Sequence, residues 1–136
     1  NDIIVDIWEL EKHKLFKDTD LEINKPNLAK AVTLNIEGIV YDFNENKYYA
    51  ELYKQAINSN TIDFVIDNPF MKDLSLFRAM RFASLYDMKL SDRIKEQIKN
   101  KFDTDKDFIP KLVKLNNRKY KEMTESEMHD FVDKFI

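Results

Sequence analysis

The sequence predicts an α+β protein, with a small mixed or antiparallel sheet in residues 1–67 and a helical part over residues 68–136. Three observations predict it. Up to Ile66 the apolar residues fall largely in short β-branched and aromatic runs. From Phe70 onward they recur at helical spacings of three and four. Between the two lies Asp67-Asn68-Pro69, a turn that cannot continue a strand.

In chain order, Ile3-Ile4-Val5-Asp6-Ile7-Trp8 reads as a buried strand, with Asp6 an anomalous carboxylate in its middle. Asp6 is either a solvated edge residue or a metal ligand or general base on a rigid strand. Glu9 to Lys25 is charged and weakly periodic, a loop or short helix. A helix starts at Lys25-Pro26-Asn27, with Asn24 or Asn27 as its cap, and runs into Ala31. Val32 to Asp42 is mostly strand-like, with a helical turn open in its first half. Phe43-Asn44-Glu45-Asn46 is a polar turn, across which Lys47-Tyr48-Tyr49 pairs back as a hairpin. A helix over Ala50 to Ser59 turns Leu52, Tyr53, Ala56 and Ile57 to one face, and Thr61 to Ile66 alternates as a further strand.

The stretch from Phe70 to Asp87 contains nothing that breaks a helix and is apolar nearly all round, which normally means burial. Phe70, Leu74, Phe77 and Leu85 share one face, with Leu76, Met80 and Ala83 extending the arc. Ser91 then caps a helix whose Leu90, Ile94, Ile98 and Phe102 form a stripe spaced by four. Asp103 to Asp107 is a charged link without the glycine of a calcium loop. A helix follows over Phe108 to Leu115. Finally Thr124-Glu125-Ser126-Glu127 is a capping box, opening a helix with Met128, Phe131, Val132 and Phe135 inward.

Composition narrows the function. The 136 residues carry a formal net charge of −3, so nucleic-acid binding would need a local patch. With no cysteine, disulfides, zinc–thiolate sites and thiol catalysis are excluded, and a cytoplasmic setting is expected. The single glycine, Gly38, rules out a P-loop or dinucleotide fingerprint. No apolar run nears the roughly 18 residues that span a bilayer, so no membrane partner is expected.

Two cations stand out. Arg78 and Arg81 project from the same side of the apolar helix as Leu74 and Leu85. A buried guanidinium stays charged and needs an anionic partner, either internal carboxylates such as Asp42 or Asp67 or the phosphates of a ligand. Lys111, Lys114, Arg118, Lys119 and Lys121 make the most basic region, a solvated face or an RNA contact. Tyr48, Tyr49 and Tyr53 could stack bases or simply pack, and His13 and His129 read as surface residues.

Two runs resemble a known family. Thr33-Leu34-Asn35-Ile36-Glu37-Gly38-Ile39-Val40-Tyr41-Asp42 resembles the R-D-F-T-I-N-A-L-A-Y-D run of class II tRNA nucleotidyltransferases (CCA-adding enzymes) and bacterial poly(A) polymerases. Leu76-Phe77-Arg78-Ala79-Met80-Arg81-Phe82-Ala83 resembles their L-R-A-x-R-F-A run. The resemblance covers about residues 3 to 100. It implies the end of a DNA polymerase beta-like head over residues 1–67, then a helical neck and body over 68–136. It also implies a nucleoside triphosphate substrate, an RNA or other hydroxyl acceptor, and two Mg2+ ions about 3.5–4 Å apart, with Asp6 as metal ligand and catalytic carboxylate. Thr33, Asn35, Arg78 and Arg81 would then lie at the nucleotide cleft or the head–neck junction.

The chain departs from the family pattern at several points. Lys30-Ala31 replaces the Arg-Asp pair before the threonine. The base-templating positions hold Met71, Lys72 and Ser75. Only five residues precede Asp6, so the glycine pair and paired aspartates of the catalytic start are expected outside this chain. The sequence therefore predicts a divergent nucleotidyltransferase-like protein, inactive in this form. The alternative is a non-catalytic RNA- or protein-binding module on a decayed scaffold of that kind.

Overall fold

The computed structural model describes residues 9–67 and 71–136. The strand expected over Ile3 to Trp8, and Asp6 with it, lies outside the described residues, as do Asn68, Pro69 and Phe70. Within them the protein is α+β, with seven α-helices and two separate two-stranded sheets.

Helices α1 (Lys14–Lys17) and α2 (Lys25–Leu28) are single turns. The Asn24 side chain accepts from the Asn27 N–H at 2.8 Å, so Asn24 is the cap of α2. Strands β1 (Val40–Asp42) and β2 (Lys47–Tyr49) form the expected antiparallel hairpin, in register Tyr41 to Tyr48. Asp42 closes its turn by accepting from the Asn44 and Glu45 N–H groups at 2.9 and 3.3 Å and by pairing with Lys25. Helix α3 spans Glu51–Ser59; Ala56 is buried, but Ile57, placed on the inner face by the sequence, is 47% exposed.

The strand expected over Val32 to Asp42 breaks up. Leu34 makes one bridge to Phe64, and Asn35–Glu37 form a 3-10 turn before β1 begins. Asn35 is the cause. Its Oδ1 accepts from the N–H groups of Ile36 (2.9 Å) and Asp63 (3.0 Å), while its Nδ2 donates to the Thr61 carbonyl at 3.0 Å. A side chain thus satisfies backbone groups that a longer ladder would have paired.

Gly38 is required by proximity. A Cβ there would lie 2.7 Å from the Ala29 carbonyl oxygen and 3.0 Å from the Leu52 Cβ. With one glycine in the chain, the left-handed corners are turned by Asn46, Asn60 and Asp87 at φ of 50°, 49° and 52°.

The expected strand over Thr61 to Ile66 shortens to β3 (Thr61–Ile62), which pairs in parallel with an unanticipated β4 (Lys89–Leu90). Between them runs the central helix α4 (Lys72–Tyr86). Its buried side is Leu76, Phe77, Ala79, Met80 and Ala83, the flank of the arc read from the sequence. Leu85 was expected to be inward and is 69% exposed. Periodicity could not choose a face on a helix apolar nearly all round; the buried face includes the short Ala79 and Ala83.

Helices α5 (Asp92–Thr104), α6 (Phe108–Asn117) and α7 (Glu125–Val132) complete the fold, with α4 packed on α5 and α6, and α6 on α7. Ser91 and Thr124 cap α5 and α7 as expected, each accepting at 3.3 Å from an N–H three residues on. Helix α5 runs two residues into the expected Asp103–Asp107 link, and α6 extends beyond Leu115. One buried cluster runs from Leu34 and Ile62 through Leu76 and Met80 to Leu112 and Val132, so both parts of the chain share a core. No helix among the described residues is long and apolar enough to cross a membrane.

Candidate nucleic-acid interface

The outer side of α4 presents Leu74, Arg78, Arg81 and Phe82 to a cleft of about 460 Å³. Its opposite wall is the end of α6 and the loop after it, through Leu115, Arg118, Lys119 and Tyr120. Leu74, Leu115 and Arg118 also line an adjoining hollow of about 390 Å³, which reaches Lys72, Lys101, Lys111 and Lys114. The two form one trough along the α4–α6 seam.

Two asparagines hold its far wall in place. Asn116 is fully buried and donates to the Lys121 carbonyl at 2.9 Å and to Asn117 Oδ1 at 3.0 Å. Asn117 in turn exchanges hydrogen bonds with the Met123 N–H (2.9 Å) and carbonyl (3.2 Å). The segment bearing Arg118, Lys119 and Tyr120 is thereby tied to the end of α6. Tyr120 then meets α4: the Arg81 guanidinium carbon sits 4.0 Å from its ring centroid, and the Phe77 ring 6.4 Å away.

Charge is distributed unevenly along the trough. At the α5 end, Asp73 lies 3.1 Å from Lys101 and 3.9 Å from Lys111. Asp105 lies 3.0 Å from Lys111 and 3.5 Å from Lys101. The Lys111 hydrogen bond holds the Asp105 carboxyl below the usual carboxylate range, and the same bond pushes the Lys111 amine up. Lys72 pairs with Asp67 and donates to Gln97 Oε1 at 2.8 Å. These cations are compensated. Among the described residues, Arg81, Lys114, Arg118 and Lys119 have no carboxylate within ion-pair distance. Positive charge in excess therefore lies towards the Tyr120 end.

The two arginines of α4 are not sunk in the core, as the sequence suggested. Arg78 is exposed and Arg81 half-buried. Neither meets Asp42, which pairs with Lys25, nor Asp67, which pairs with Lys72. Arg78 instead lies 2.5 Å from Glu37, whose side chain is 14% exposed. Burial pushes the Glu37 carboxyl up; the Arg78 charge and the Leu34 N–H oppose the shift without cancelling it.

The structure thus gathers Arg78, Arg81, Lys111, Lys114, Arg118 and Lys119 along one trough. It separates them from Thr33 and Asn35, which line neither part of it. Thr33 accepts the Val65 N–H at 2.9 Å through its carbonyl, and Asn35 is spent on the backbone. Asp6 lies outside the described residues. Among the described residues no group of three or more His, Asp or Glu could hold a metal ion.

Sequence reading missed Glu37 and Tyr120. Tyr120 carried a signal, an aromatic inside the basic run Arg118-Lys119-Tyr120-Lys121. Glu37 carried none, since its role exists only where the 3-10 turn meets α4. Comparison with protein-family models, with curated proteins and with solved structures finds no match.

Proposed function

We propose that this chain binds single-stranded RNA, with the phosphate backbone running along the α4–α6 trough. The observation that carries the reading is the set of cations without a carboxylate partner among the described residues, Arg81, Arg118 and Lys119 beside Tyr120 and Lys114 in the adjoining hollow, on a chain of net charge −3. A guanidinium offers two parallel N–H donors that match a phosphate. Cations interleaved with an aromatic ring suit a single strand, whose bases are free to stack. RNA rather than DNA is favoured by the resemblance of the two sequence runs to enzymes that act on RNA 3′ ends.

Titrating a fluorescent uridine oligomer at increasing salt tests this. With about four phosphate contacts the log–log slope of affinity against salt should be near −3, from about −0.7 per contact on a single strand. Arg118→Ala should weaken binding several-fold at about 50 mM salt and lower that slope by about 0.7. Absence of binding at low salt would overturn the reading. Equal binding of a poly-glutamate peptide would move the partner to an acidic protein.

A second reading, nucleotidyl transfer to an RNA hydroxyl, is favoured by the same two runs and by Asp6 on its expected strand. Bound magnesium would neutralise the departing pyrophosphate. Asp6 would be a ligand and accept the acceptor's proton, and the trough would seat the acceptor strand. Incubating the full-length protein with labelled nucleoside triphosphates and RNA tests it, with Asp6→Ala expected to abolish incorporation. Incorporation unchanged in that variant would remove Asp6 from the site.

A further inference from the structure

Beside the trough lies a second pocket of about 400 Å³ whose chemistry is different, within the roughly 300–1,000 Å³ typical of small-ligand sites. Its walls are Tyr53, Ile57, Phe82, Tyr86 and Met88, and the one charged residue lining it is Glu37. Phe82 lines both hollows. Arg78 stands at the same border, paired with Glu37 and with its guanidinium carbon 5.9 Å from the Phe82 ring centroid. Among the described residues, the lining on one side of Phe82 is cationic with no carboxylate, and on the other aromatic with a carboxylate and no lysine or arginine.

That contrast sorts the parts of a nucleotide. Phosphate finds cations in the trough and, among the described residues, no lysine or arginine lining the Glu37 pocket, whereas an uncharged base needs none to enter it. The Phe82 and Tyr86 rings lie nearly parallel, 23° apart in plane, and Tyr86 is 56% exposed, so a flat aromatic face is open to a ligand. A carboxylate lining an aromatic pocket favours a base whose edge carries an amino group. We infer that the Glu37–Tyr86 pocket takes one unstacked purine of the RNA strand whose phosphates occupy the trough. The inference rests on the RNA-binding reading and adds to it a site that reads base type.

Three oligomers of equal length distinguish the two claims: all uridine, uridine with one central adenine, and uridine with one central abasic residue. The adenine oligomer should bind at least about fivefold more tightly than the abasic one, the usual scale of one base–aromatic stack. 2-Aminopurine at the same position should lose fluorescence on binding. Tyr86→Ala should collapse the adenine preference while the salt slope of the uridine oligomer stays as it was. If all three oligomers bind alike with the expected salt slope, the purine pocket is wrong and RNA binding stands. If none binds at low salt, both fail. The oligomer comparison needs no variant, so a misfolded Tyr86→Ala protein would not rescue the inference.

Discussion

Glu37 holds its proton more tightly folded than unfolded, because burial penalises its charge. Between the ordinary glutamate value and the raised one, the folded state therefore binds more protons than the unfolded state, and stability rises as pH falls. Asp42, Asp105 and Glu127 behave oppositely. Each is lowered, first by a hydrogen bond from Lys25, from Lys111 and from the Thr124 N–H respectively. The stability they lend is present above the ordinary carboxylate range and disappears as pH falls through their lowered values. Melting temperature on acidification should thus rise slightly before it drops. Glu37→Gln should erase the rise and leave the drop, and an unchanged profile in that variant would remove Glu37 as the cause. Arg78 and Arg81 were legible as unusual from their place on an apolar helix. Their partners were not, because Glu37 and Tyr120 come from distant turns that only the folded chain brings to α4.

Elements whose ends carry hydrogen-bonding side chains were the ones read most closely from sequence. Ser91 and Thr124 announced α5 and α7, because a cap is local chemistry, and Asn24, one of two caps open in the sequence, begins an α2 that ends at Leu28 rather than running into Ala31. The β3–β4 pair was not legible, since strands of two residues have no period to detect. The break in Val32–Asp42 was legible only as the helical turn left open in its first half, because it depends on the Asn35 amide reaching Thr61 and Asp63. At the crossing of α2 and α3, Gly38→Ala should cost about 1–3 kcal/mol by overpacking against the Ala29 carbonyl, measured by denaturant unfolding. Wild-type stability there would show that the backbone yields. At the end of α6, Asn116→Ala should cost about 0.5–1.5 kcal/mol by removing the hydrogen bond to the Lys121 carbonyl. It should also weaken RNA binding by loosening the loop, whereas Arg118→Ala should weaken binding alone. Intact affinity in Asn116→Ala would mean the loop keeps its shape without that bond.

At the scale of the whole molecule, the α+β class was legible because hydrophobic period changes near Pro69, but the order of sheet before helices was not, since β4 lies beyond that turn and three helices before it. The trough was not, because its walls are assembled from α4 and from the far end of α6. Its cations could be counted in the sequence, but which of them Asp73 and Asp105 neutralise follows only from packing. A chain this poor in glycine must also twist asparagine and aspartate into a handedness that L residues resist. Asp87 closes α4 in that way and makes no side-chain bond of its own among the described residues. Asp87→Gly should relax the torsion and raise unfolding free energy by a few tenths to about 1 kcal/mol, checked by thermal melts. The scarcity that leaves these corners to asparagine and aspartate gives the chain untapped headroom against heat.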